Sequence, residues 1–108
     1  HKQMKLMVYC TCPDAAVAAQ LARAVVEQRA AACVNILPAV RSIYHWRDAI
    51  EEDSEALLLI KSDSDHFQAL SDIITAMHPY EVPEIVGVPL AAGYQPYLEW
   101  IERCLTDS

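Results

Sequence analysis

Apolar and polar positions divide the chain into blocks of different period. Leu6-Met7-Val8-Tyr9-Cys10 is a short apolar run that stops at the turn signal Pro13-Asp14, and it predicts a strand. Asp14 in turn predicts a helix start, because an aspartate there lies near the positive end of the helix dipole. Val17, Leu21 and Val25 then recur every four residues, while Gln20, Arg23 and Glu27 fall elsewhere. That spacing predicts an amphipathic helix to about Arg29. From Cys33 to Tyr44 the apolar positions Val34, Ile36, Val40 and Ile43 surround Pro38. Proline has no N–H to give to a ladder, so a long strand with a bulge or bend is expected.

Glu51-Glu52-Asp53-Ser54 reads as a solvated turn. Behind it, Ala56-Leu57-Leu58-Leu59-Ile60 has no polar alternation, and a strand of that kind needs cover on both faces. Ser62-Asp63-Ser64-Asp65 is rich in capping residues and predicts the opening of a second helix. Phe67, Leu70, Ile74 and Met77 mark its buried stripe, and His78-Pro79 ends it. Ile85 to Val88 predicts a fourth strand; Tyr97, Leu98, Ile101 and Leu105 predict a short final helix after Pro96. The order is βαββαβ plus a helix, an α+β sandwich of the ferredoxin-like kind.

Two main helices cover only one face of a four-stranded sheet. The other face would expose a larger apolar patch than soluble monomers carry. Packing of sheets between subunits is therefore expected, with Leu57, Leu59, Val86 and Val88 in the buried faces. The pattern leaves open which member of each strand points inward. Composition strengthens the expectation: 54% of the 108 residues are hydrophobic, and only two glycines interrupt them. The length suits one domain spanning 1–108, with His1-Lys2-Gln3 ahead of Met4 read as a remnant outside the fold.

Fifteen acidic residues against eight basic ones give a net charge of −7, which repels phosphate backbones and argues against nucleic acid as a partner. No apolar run approaches a membrane span, and no signal-peptide pattern opens the chain, so a cytoplasmic protein away from membranes is expected. Cys10, Cys12, Cys33 and Cys104 match neither a disulfide framework nor a zinc pair, and reduced thiols are the simplest account. There is no Gly-x-Ser-x-Gly elbow, phosphate-binding glycine loop or paired-histidine motif. A binding protein, not an enzyme, is the expectation.

Four stretches go beyond generic ferredoxin-like sequence: Thr11-Cys12-Pro13-Asp14, Ala31-Ala32-Cys33-Val34-Asn35, Ser42-Ile43-Tyr44-His45-Trp46, and His78-Pro79-Tyr80-x-x-Pro83-Glu84-Ile85. With Lys61 after the third strand and Tyr97-x-x-Trp100 near the end, the chain from about Leu6 to Leu105 resembles the CutA family of divalent-cation tolerance proteins. The resemblance implies a ferredoxin-like subunit, a homotrimer packed through its sheets, and a link to divalent metals, copper above all. It also implies a likeness in shape to the PII signalling proteins. Family members usually carry Trp-x-Gly-Lys-Ile after the aromatic cluster; here the segment is Trp46-Arg47-Asp48-Ala49-Ile50, without the turn glycine and its lysine.

The resemblance further implies a metal site made by the cysteine of the first strand and two adjacent histidines before the Pro-Tyr. These fall on Cys10, Met77 and His78, with methionine in place of the first histidine. Thiolate, thioether and imidazole together suit copper(I). Residue type alone supports blander roles: Cys10 as a small buried hydrophobe, Met77 as packing, His78 as a helix-end cap. Tyr44, His45 and Trp46, with Tyr80 and Trp100, read either as subunit packing or as the lining of a pocket. The expected function is a trimeric, non-catalytic divalent-cation tolerance protein that binds copper or a related soft metal ion. The alternatives are a PII-like scaffold with a small molecule in its intersubunit clefts, and a cysteine-dependent activity using Cys10.

Overall fold

The computed structural model describes residues 3–106, so His1 and Lys2 of the expected remnant lie outside the described residues. The elements are β1 (Lys5–Cys12), α1 (Ala15–Glu27), β2 (Cys33–Trp46), β3 (Ala49–Asp63), α2 (Phe67–Met77), β4 (Val86–Pro89) and α3 (Gln95–Thr106). The four strands form one antiparallel sheet in the order β2-β3-β1-β4. This is the expected α+β, ferredoxin-like arrangement.

Alternation along β1 sets the layers. Leu6, Val8, Cys10 and Cys12 are buried, and across the ladder Val8 faces Ile60, Cys10 faces Leu58 and Cys12 faces Ala56. These side chains meet Ala18, Leu21 and Val25 of α1 and Leu70 and Ile74 of α2 in one core. Asp14 caps α1 by accepting the Val17 N–H at 2.9 Å. The helix ends with Arg29 at φ 57°, while the Ala30 N–H closes back on the Val25 carbonyl at 3.0 Å. Ser62 and Asp63 finish β3 instead of beginning α2, yet Asp63 still serves the helix start by accepting the His66 N–H at 2.9 Å.

The opposite face carries Leu57 and Leu59, which are half-buried, and Val86 and Val88, which are 50% and 49% exposed. Gly87 points toward the helices: a Cβ there would lie 3.3 Å from Leu6 Cδ1 and 3.4 Å from Phe67 Cε1. Its neighbours therefore point away. α3 covers only one end of this face. Ile101 and Leu105 bury themselves against Ala32, and Glu102 meets the Lys5 ammonium at 3.1 Å.

Two further expectations are corrected. Glu51 to Ser54 is not a turn but part of β3, paired with residues 41–44 of β2. β1 pairs with Ala56 to Asp63 only, so residues 49–55 form a ribbon with β2 beyond the sheet. Their polarity records exposure on a two-stranded arm, not a chain reversal. The reversal lies at Arg47-Asp48, where both residues have left-handed backbone, φ 51° and 66°. Met77 does not close the buried stripe of α2, being 44% exposed. The bulge expected near Pro38 is present: Leu37 faces Leu57 and Val40 faces Glu55, leaving one extra residue on β2.

Arg47 and Asp48 form the two-residue hairpin turn that glycine favours, without glycine. Asp48→Gly should raise stability by about 0.5–1 kcal/mol, relief of left-handed strain being partly offset by the entropy glycine adds to the unfolded chain. A urea melt should move its midpoint upward with an unchanged slope; an unmoved or lower midpoint would show that the turn carries no strain.

Candidate metal centre

Period-two spacing on β1 puts the Cys10 and Cys12 thiols on the same face, and both residues are fully buried. The third member arrives from α2. Pro79 disfavours helical backbone at His78, which leaves the helix extended at φ −73°, ψ 136°, its N–H still on the Ile74 carbonyl at 2.8 Å. The ring then turns in toward β1. Nε2 donates to the Thr11 carbonyl at 2.8 Å, and Nδ1 accepts the Tyr80 N–H at 3.1 Å. A carbonyl only accepts and an amide only donates, so these partners select the neutral Nε2–H tautomer. The ligand atoms of Cys10, Cys12 and His78 all lie within 4.8 Å of one another, and all three residues are buried.

The two thiols share their protons unequally. The hydrogen bond with Cys12 pushes the Cys10 thiol up, followed by burial and the charges of Cys12, Glu84 and Glu55. The same hydrogen bond lowers Cys12, against burial and the charges of Glu55 and Asp14. Of the two, Cys12 is the thiol more readily deprotonated and Cys10 the one that holds its proton.

Of the residues expected to ligate, Cys10 and His78 are brought together. Met77 closes α2 one residue earlier and is 44% exposed, while they are buried. Cys12 is the member that sequence reasoning passed over. Its signal was available in the Cys10-x-Cys12 spacing, which on a strand aligns two side chains. Cys10, Cys12 and His78 would hold a soft cation, for which thiol sulfur and imidazole nitrogen are suitable donors. The imidazole joins only by giving up one of its two hydrogen bonds.

Beside the centre, an open cleft of about 890 Å³ runs between the β2–β3 arm and the loop after α2. Thr11, Tyr44, Trp46, Glu55, Tyr80 and Glu84 are among its lining residues. The Tyr80 hydroxyl donates to Glu55 Oε2 at 2.6 Å, and the Tyr44 hydroxyl donates to Asp53. Burial, then the bond to Glu55, pushes the Tyr80 phenol up; the bond to Asp53 foremost pushes Tyr44 up to about 12. The aromatic cluster expected from sequence is divided. Tyr44, Trp46 and Tyr80 line the cleft, while Trp100 stacks on Tyr97 with ring centroids 5.5 Å apart.

Glu55 is buried among these groups, so its carboxylate depends on the Tyr80 donor. Tyr80→Phe should cost about 1.5–3 kcal/mol, the scale of a hydrogen bond to a charged group. Equilibrium unfolding of the variant checks this, and a loss under about 0.5 kcal/mol would mean water replaces the tyrosine.

Residues 6–104 match the family model described as CutA1 divalent ion tolerance protein. The human Protein CutA is 50% identical over 100 residues, covering 93% of this chain and 55% of the human protein. The chain thus spans about half the length of that relative. A divalent-cation tolerance protein CutA from Thermus thermophilus is 47% identical over 100 residues, covering 93% of this chain and 97% of the relative. Among solved structures, CutA1 from Oryza sativa superposes with a TM-score of 0.93 at 35% identity, covering 97% of this chain and 96% of the other. The solved divalent cation tolerance protein of Thermus thermophilus gives 0.89 at 47% identity, covering 91% and 95%.

Proposed function

The chain belongs to the CutA1 divalent ion tolerance family, and we propose that it acts as a cytoplasmic homotrimer whose subunits each hold a soft cation, copper(I) foremost, without catalysing a reaction. The observation that carries this reading is the convergence of the Cys10, Cys12 and His78 donors within 4.8 Å. Sulfur and imidazole select copper(I) or zinc over magnesium and calcium, which take oxygen ligands. Cys12, already inclined toward thiolate, supplies the first bond.

The test is a competition titration with a copper(I) chelator on the wild type and on Cys10→Ser and Cys12→Ser. Copper(I) is expected to bind more tightly than zinc. Each serine variant should lose more than about tenfold, since even outer-shell changes reach that scale. Affinity should also fall as pH drops, because binding needs both thiols deprotonated. Unchanged affinity in both variants would place any copper elsewhere and leave the thiols as core. Met77→Leu, which keeps the side-chain volume, weakens binding only if the thioether is a ligand.

Support for the trimer comes from the face that α3 leaves open. Val86 and Val88 stand half-exposed beside Leu57 and Leu59, and the arm displays Ile43, Trp46 and Ile50. Among the described residues no further element covers them. Sedimentation equilibrium at micromolar concentration should return the mass of a trimer, and a monomer mass would end the proposal.

The cleft of about 890 Å³ favours a second reading, a PII-like scaffold that binds a small organic molecule. An organic ligand that raises the melting temperature where copper does not would put this reading first.

A further inference from the structure

Three of the sequence motifs take no part in the metal centre, and the fold brings them to one place on the opposite side of the sheet. Cys33 and Asn35 come from the start of β2, Lys61 from the end of β3, and Tyr97 from the first turn of α3. Cys33 and Lys61 are direct partners across the β2–β3 ladder. The Lys61 ammonium donates to Cys33 Sγ at 3.7 Å and to the Asn35 side-chain carbonyl. Cys33 and Cys104 are both free thiols and both partly buried. The Tyr97 phenol is pushed up by burial first, then by Cys33, with Cys104 contributing.

Each neighbour has a separate consequence for Cys33. β2 is an edge strand, so the thiol lies at the margin of the sheet and not in its core. Asn35 holds the lysine head group over the sulfur, so the nitrogen is already placed for bonding. The lysine stem has four flexible methylenes, enough to close the remaining gap without moving the backbone.

We propose that Cys33 and Lys61 form a peroxide-driven sulfur–nitrogen crosslink, a reversible modification site independent of the metal centre. The Cys33 thiolate attacks one oxygen of hydrogen peroxide and the O–O bond breaks. Sulfur, oxidised by two electrons, keeps that oxygen as a sulfenic acid, while the other oxygen departs as hydroxide and takes a proton to become water. Lys61 gives one proton to solvent, exposing its lone pair. The nitrogen attacks sulfur, the S–O bond breaks, and the departing hydroxide takes a second proton from nitrogen and leaves as water. The product is a neutral sulfenamide joining β2 to β3. An added thiol reopens it by attacking sulfur and returning the free amine.

The experiment is a peroxide titration of the whole chain followed by non-reducing peptide mass mapping. The wild type should become about 2 Da lighter, with a peptide linking Cys33 to Lys61 that dithiothreitol reverses. Lys61→Arg should stop at the sulfenic acid, about 16 Da heavier and trapped by dimedone, while Cys104→Ser should link as the wild type does. A linked peptide joining Cys33 to Cys104 would overturn the proposal in favour of a disulfide. Peroxide leaving Cys33 unmodified, or equal crosslinking in Lys61→Arg, would overturn it outright. The wild-type map decides alone should the lysine variant fail to fold.

Discussion

The structure depends on a single constraint: β1 is an interior strand of the sheet, paired on both edges and alternating strictly between its two faces. One set of side chains, Leu6, Val8, Cys10 and Cys12, is committed to the helices. The other set must accept whatever covers the far side. Because the side-chain period is two, a slip of one residue would exchange the sets and bring Lys5, Tyr9 and Thr11 into the core. Burial of the two thiols is thus not a property of cysteine at these positions. It follows from the register that buries Leu6 and Val8.

The same constraint explains what was legible in the sequence. Helix α1 and the capping role of Asp14 could be read because a helix with one wet face writes its period into the residues. The unbroken run Ala56 to Ile60 was legible as a strand needing cover on both faces, and the structure shows why the faces still differ. Leu58 and Ile60 lie under the helices, while Leu57 and Leu59 face the open side. The arm misled because Glu51 to Ser54 looks alike whether a chain turns there or runs straight through solvent. Hydrophobicity reports exposure, and it reports chain direction only where burial forces the two together.

Of the site, sequence pointed to Cys10, Met77 and His78; the structure brings the ligand atoms of Cys10 and His78 together with Cys12, while Met77 is 44% exposed. His78 leaves the helix extended ahead of Pro79, so its ring turns in while the last helical residue stays out. Cys12 is two residues from Cys10, yet the strand puts the two thiols on one side. The long-range contact that completes the set, His78 Nε2 to the Thr11 carbonyl, spans 67 positions and has no local signal.

Which cation suits this set turns on two opposing effects. Were one proton shared between Cys10 and Cys12, the pair would carry a single negative charge, and Glu55 and Glu84 lie close enough to raise Cys10 further. Replacing that proton with a monovalent ion leaves the buried charge as it was, whereas a divalent ion would neutralise it. Charge alone therefore favours zinc. Coordination runs the other way. Zinc wants four ligands in a tetrahedron, while copper(I) accepts soft sulfur donors in smaller number. Among the described residues one His/Cys/Asp/Glu group converges, and it holds three donors. One of these, the imidazole, is engaged at both nitrogens. A tetrahedral ion would have to break a hydrogen bond that pins α2 to β1 or fixes the loop at Tyr80, and still recruit a fourth ligand. On the proposed metal-binding reading a two-sulfur ion would ask for neither, and ligand supply would then favour copper(I) over zinc.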